Sequence, residues 1–276
     1  MKATTDKSLS LRFSFVCGFL CCLAFVPSEA TKILLLGDSM AEFMGESLLE
    51  EVCGDATVVN AGIGGTTAQQ WAEYDMDDNP LDFYGSREWD VVYISVGGND
   101  LLESGCLLEP DELKSQMEAA IENIVGEIAP GASSYVVTGY CMPMAAEEDA
   151  DGDCAEPSGL SALPQALAAL SPNLPEESKG KLTIVDSLES CGGSVSSYSD
   201  PKFFLDNIHL NPRGYCEVFS QPLIQQSLLC DPNNEVDCDD EMWLEENDSS
   251  EDSSGTIVDI ELFVSTSIFI ILAYFN

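Results

Sequence analysis

In Lys32-Ile33-Leu34-Leu35-Leu36-Gly37-Asp38-Ser39-Met40 a nearly continuous apolar run, Lys32–Leu36, closes on a glycine turn. A strand with one wet face alternates apolar and polar residues, so a continuous run reads as a strand covered on both faces. Four further runs have the same character: Ala56–Asn60, Val91–Val96, Tyr135–Gly139 and Leu182–Val185. Helical stretches lie between and after them, at Ala41–Val52, Pro110–Ile128 and Pro212–Leu229. The middle one starts on proline, carries acids in its first turn, and places Leu113, Met117, Ile121, Ile124 and Ile128 at helical spacing. Strand and helix in alternation predict an α/β fold, an open parallel sheet wrapped on both sides. Its functional loops belong at the carboxyl ends of the strands. No internal repeat interrupts the pattern.

The chain has 276 residues, with 10 basic against 49 acidic side chains and a formal charge of -39. Such a field repels phosphate backbones and anionic lipid, which excludes a nucleic-acid binder and a basic membrane-surface protein. With 45% apolar residues the chain can still bury a sizeable core.

The two ends read differently from the body. Residues 1–30 combine Lys2, Lys7 and Arg12 with an apolar run from Phe13 to Val26 and a small-residue close at Ser28-Glu29-Ala30, the parts of a secretory signal peptide. Its removal takes Cys17, Cys21 and Cys22 and leaves eight of the 11 cysteines. An even number in an exported chain predicts up to four disulfides, with connectivity open. Beyond the body at 31–230, residues 231–254 form an acidic stalk that carries the sequon Asn247-Asp248-Ser249. Residues 255–276 supply a spacer and an apolar end from Leu262 to Tyr274, which match a glycosylphosphatidylinositol-anchor signal. A spanning helix is the rival reading, but a span needs roughly 17–25 apolar residues and this run is shorter. Contact with the membrane is therefore expected only through this C-terminal anchor, and the protein is expected to be secreted or held at the cell surface.

Chemistry-bearing residues fall at the strand ends. Gly37-Asp38-Ser39-Met40 follows the first strand, Asn60-Ala61-Gly62-Ile63-Gly64-Gly65-Thr66-Thr67 the second, and Gly97-Gly98-Asn99-Asp100 the third. Each alone reads as a turn or a helix cap. The glycine-rich block lacks dinucleotide-loop spacing. Before the last helix comes Asp206-Asn207-Ile208-His209-Leu210-Asn211-Pro212, which holds the single histidine of the chain three residues after an aspartate.

Taken together and in this order, the four blocks resemble those of the SGNH (GDSL-type) hydrolase family, and the resemblance covers about Lys32 to Leu229. It implies a flavodoxin-like three-layer α/β/α sandwich with a parallel five-stranded sheet of order 2-1-3-4-5. It further implies Ser39 as nucleophile, His209 as general base and Asp206 as the acid that orients the imidazole. The oxyanion donors it implies are the Ser39 and Gly65 N–H groups and the Asn99 side chain, with Gly62 or Gly64 in place of Gly65 if the register shifts. Met40 stands where the family usually has leucine, a volume-conserving change. The residue chemistry agrees, because a serine hydroxyl needs a base and His209 is the only imidazole available.

The expected function is a secreted or cell-surface serine ester hydrolase acting through an acyl-enzyme on O-acyl groups, acetyl among them, of a carbohydrate or small ester. Lysophospholipid hydrolysis, acyl transfer on the same site, and a non-catalytic anchored surface protein are the alternatives. No cofactor or metal is implied. The acidic runs at Asp149-Asp153 and Asp231-Asp239 lack the glycine and glutamate of a helix-loop-helix calcium site. Residues 141–158, bracketed by Cys141 and Cys154, read either as a disulfide-clamped lid or as an exposed loop. Oligomeric state and acyl chain length stay open.

Overall fold

The computed structural model describes residues 30–54, 56–74, 88–142, 159–194, 196–231, 234 and 236–239. The signal peptide up to residue 29, most of the 141–158 insertion, the sequon, most of the stalk and the C-terminal tail lie outside the described residues.

Strands β1 (Lys32–Gly37), β2 (Thr57–Asn60), β3 (Val91–Ser95), β4 (Ser134–Thr138) and β5 (Leu182–Val185) pair in parallel, in the order β2-β1-β3-β4-β5. That is the expected sheet, with each predicted run placed to within a residue or so of its strand. Continuous apolar runs are explained by where alternate side chains go. Leu34, Leu36, Val92, Ile94, Tyr135 and Val137 enter the core on one face, while Ile33, Leu35, Val91, Tyr93 and Val136 enter the core on the other. Neither face is wet, so no polar alternation is required.

Helices α1 (Ser39–Met44), α2 (Glu46–Cys53), α7 (Pro212–Phe219) and α8 (Pro222–Ser227) cover one face. Helices α3 (Ala68–Ala72), α4 (Gly98–Glu103), α5 (Pro110–Asn123) and α6 (Ala162–Ala168) cover the opposite face. Three predicted helices differ in detail from those observed. Ala41–Val52 is split into α1 and α2 at Gly45, whose φ of 73° breaks the helical path. Pro212–Leu229 is split before Pro222, which restarts the chain as the first residue of α8. Pro110–Ile128 is α-helical to Asn123 and finishes as a wide π turn over Ile124–Ile128, which keeps Ile124, Val125 and Ile128 buried.

Among the described residues, disulfides join Cys53 to Cys230, Cys141 to Cys191 and Cys216 to Cys238, and Cys106 is also disulfide-bonded. The Cys141–Cys191 pair corrects the notion of an insertion clamped by its own two ends. Cys141 follows β4 and Cys191 follows β5, neighbouring strands in the sheet, so their Cα atoms stand 5.7 Å apart despite 50 intervening positions.

Of the described glycines, Gly37 in the turn out of β1 makes the closest backbone approach. Gly37 has φ 130°, and a Cβ on it would lie 1.9 Å from the Ser95 carbonyl oxygen of β3. The next residue donates its N–H to that same oxygen at 3.0 Å. Its side chain, the fully buried Asp38 carboxylate, accepts hydrogen bonds from the Met40 N–H at 3.0 Å, Ser95 Oγ at 3.1 Å and Tyr140 Oη at 2.5 Å. One carboxylate thus ties the start of α1 to β3 and to the segment after β4. Burial pushes the Asp38 carboxyl up to about 6, against the lowering effect of the Tyr140, Met40 and Ser95 hydrogen bonds.

Gly37→Ala is expected to cost about 4 kcal/mol or more, because the clash is with sheet backbone and the φ is foreign to alanine. Denaturant unfolding measures this, and a loss below about 1 kcal/mol would show that β3 yields. Asp38 generates a pH expectation. The fold holds its proton up to about pH 6, whereas its ordinary value is 3.8, so its contribution favours the fold at low pH and is lost as pH rises through that window. Relative to the wild type, Asp38→Asn should therefore gain on the order of 3 kcal/mol between about pH 4 and pH 7. A stability difference that stays constant over that range would show the carboxyl ionising as an ordinary one.

Candidate active site

Ser39 is the first residue of α1, directly beyond β1, and Asp38 is the N-cap of that helix. The capping role considered for this aspartate from sequence is thus the one it plays. On the next loop block, Asn60 fastens the chain to the same helix: its Nδ2 donates to the Ala41 and Glu42 carbonyls at 2.9 and 3.0 Å, and its Oδ1 accepts the Gly62 N–H at 2.9 Å.

His209 sits on a short loop whose ends are tied together. Phe204 and Leu210 form an isolated antiparallel bridge, and the Leu205 N–H donates to the His209 carbonyl at 2.8 Å. Asn211 then caps α7 through the Gly214 N–H at 2.8 Å and holds the Lys202 carbonyl at 2.9 Å. In this frame His209 Nε2 lies 2.9 Å from Ser39 Oγ across 170 sequence positions, and His209 Nδ1 lies 2.7 Å from Asp206 Oδ2. The second carboxylate oxygen accepts the Ile208 and His209 N–H groups, each at 2.7 Å. Burial opposes ionisation of Asp206, but the backbone and ring hydrogen bonds of His209 and the Ile208 N–H outweigh it and lower the carboxyl below its ordinary value. Phe43 packs edge-on against the imidazole with centroids 4.7 Å apart. Its place in sequence hid this, since it falls off the apolar stripe of its helix and is half exposed.

The other side of Ser39 is built from the second and third blocks. Asn99 lies in the first turn of α4, and the cap is Gly97, so the side chain of Asn99 is not a helix cap. Its Nδ2 donates to the Thr66 carbonyl at 2.9 Å. A primary amide has two N–H bonds, which leaves one for a ligand. Asp100 supplies a second tie, accepting the Ala68 N–H at 2.7 Å and the Gln69 N–H at 3.3 Å at the start of α3. Of the three candidate glycines, Gly62 has its N–H committed to Asn60 Oδ1. Gly64 and Gly65 form the exposed turn, where Gly65 takes φ 75° directly before Thr66. Thr66, which the sequence alone did not single out, links this turn to both Asn99 and the indole of Trp71, whose Nε1 donates to Thr66 Oγ1 at 2.9 Å.

Ser39 and Asn99 open onto a pocket whose wall includes Leu101, Met142, Leu160, Leu163 and Ile208. Among the described residues no group of three or more His, Cys, Asp or Glu side chains is arranged to hold a metal ion. No described helix is long and apolar enough to cross a membrane.

The model of the GDSL-like lipase/acylhydrolase family matches residues 35–216. No curated protein sequence matches the chain. Among solved structures, a protein of Streptococcus pneumonia assigned as a platelet activating factor superposes with a TM-score of 0.52 at 18% identity, covering 74% of this chain and 86% of its own. An assigned acylhydrolase of Bacteroides fragilis gives 0.50 at 19% identity, with 72% and 88% covered. At such identities the likeness to these structures is one of fold. The matched span begins at Leu35 in β1 and ends at Cys216 in α7, so it encloses the three strand-end blocks and the histidine block: the chain belongs to the GDSL-like lipase/acylhydrolase family.

Proposed function

We propose that the protein is an exported serine ester hydrolase that works through a Ser39-His209-Asp206 triad and an acyl-enzyme intermediate. The observation that carries the reading is the continuous hydrogen-bond chain from Asp206 Oδ2 through both ring nitrogens of His209 to Ser39 Oγ. Membership of an esterase and lipase family supports the reaction class.

In this mechanism His209 Nε2 takes the Ser39 proton as Oγ attacks the ester carbonyl carbon. Asp206, ionised because its carboxyl titrates low, holds the proton on Nδ1 and stabilises the imidazolium that forms. Negative charge gathers on the former carbonyl oxygen, where the Ser39 and Gly65 N–H groups and the second Asn99 N–H receive it. Collapse expels the alcohol, which takes the proton from His209 Nε2. Water, deprotonated by the same nitrogen, then attacks the acyl carbon and frees the carboxylic acid and Ser39. No cofactor is needed at any step.

The disulfides favour an oxidising compartment, in accord with export by the N-terminal segment. The formal charge of -39 disfavours polyanionic acyl donors and leaves neutral or cationic esters, of a glycan or a small molecule, as the substrate class.

Ser39→Ala and His209→Ala should each lower ester turnover by about 10⁶-fold, as removal of either member of a serine triad does. Steady-state assays check this, and a variant retaining a tenth of the activity refutes the assignment. Asp206→Asn should cost about 10⁴-fold through the wrong imidazole tautomer. Asn99→Ala should cost about 10²–10³-fold in kcat with little change in KM. A KM increase at constant kcat would instead mark Asn99 as a turn anchor acting through Thr66.

A further inference from the structure

We infer that the pocket beside Ser39 receives the acyl half of the substrate and selects a neutral aliphatic chain longer than acetyl. The inference rests on the esterase reading above and adds to it the identity of the acyl group.

The direction follows from the four substituents of the tetrahedral centre. Ser39 Oγ and the departing oxygen must both lie within reach of His209 Nε2, because that one nitrogen serves each of them in turn. The oxyanion points toward Asn99, whose amide is fixed by the Thr66 carbonyl. Only the acyl chain is left to be placed. The pocket reaches Ser39 and Asn99, whereas neither His209 nor the Phe43 ring packed on it is among its described lining residues. Among the described lining residues the histidine loop contributes Ile208, and the rest of the wall comes from the β1–α1 turn, α4, the segment after β4 and the start of α6, so the acyl side is assigned to this pocket and the alcohol to the side of His209 and Phe43.

The selectivity follows from the wall. Leu101 of α4, Met142 after β4 and Leu160 before α6 are at most 5% exposed and belong to the main core on that face of the sheet. Leu102 and Leu163 pack against the same core from its margin. The apolar surface is thus part of the folded framework and need not assemble around a ligand. An acetyl group presents a single methyl to it and leaves most of the wall without a partner, while each added methylene exchanges water for leucine and methionine contacts. Among the described lining residues the ionisable side chains are Asp38 and Tyr140, hydrogen-bonded to each other at 2.5 Å. Among the described lining residues no cation stands to receive an acyl group that carries its own carboxylate.

The test is kcat/KM of the purified protein for p-nitrophenyl acetate, butyrate and octanoate. A fluorophosphonate probe counts the active sites in every preparation. Burial of a methylene predicts a rise of about three- to fourfold per carbon, so butyrate should exceed acetate by about tenfold. Leu163→Trp, which fills the pocket from α6, should lower the butyrate-to-acetate ratio by about tenfold or more. Leu163→Ala, which enlarges it, should raise the octanoate-to-butyrate ratio. If Leu163→Trp loses the circular-dichroism signature of the fold, the alanine variant decides. A wild type that prefers acetate, or probe-reactive Leu163 variants with unchanged ratios, overturns the pocket assignment and leaves the esterase reading intact. Absence of turnover on all three esters, with Ser39 unlabelled, overturns both.

Discussion

The structure depends on how closely β1 and β3 approach where the first strand ends. Gly37 lies so near the Ser95 carbonyl that no side chain fits between them, and Asp38 then turns its carboxylate inward. A buried carboxylate without a cation is costly, and here three hydrogen bonds from three different segments offset the loss of water. Those bonds do more than satisfy Asp38. They set the start of α1, and Ser39 is the first residue of that helix. The position of the serine hydroxyl is thus inherited from a constraint deep in the sheet.

The remaining parts of the site are held by similar polar ties at the carboxyl ends of the strands. Asn60 binds the second block to α1, Asn99 and Asp100 bind the third block to the second, and Asn211 anchors the loop that carries His209. Each of these side chains acts on backbone groups. These ties fix the loops to helix ends and strand ends, which suits a reaction in which several donors must meet one oxygen atom.

Much of this was legible in the residues. Unbroken apolar runs announced a sheet covered on both faces, and the sheet has the predicted strands, in the order that the family resemblance implied. Helix interruptions were less legible. Gly45 and Pro222 act where an apolar stripe continues across the break, so periodicity alone reads through them. Phe43 and Tyr140 were invisible as parts of the site because nothing local marks an aromatic ring that turns toward a histidine or an aspartate far away in the chain. Cysteine pairing was hidden for the same reason: Cys141 and Cys191 meet because their strands are neighbours in the sheet.

The sequence by itself determined the class of fold, the family resemblance and the short list of polar residues at the strand ends. Hydrophobic period and turn chemistry are local properties, readable without knowing what lies opposite. Only the tertiary structure decided which of those residues meet. The 2.9 Å contact between Ser39 and His209 spans 170 positions, and it exists because β1 lies inside the sheet, between β2 and β3, while the histidine loop is folded back against α1. The glycine question was narrowed in the same way, by the engagement of the Gly62 N–H with Asn60. The wall beside Ser39 likewise required α4 and α6 to converge beyond β3 and β4, a juxtaposition set by packing across the sheet.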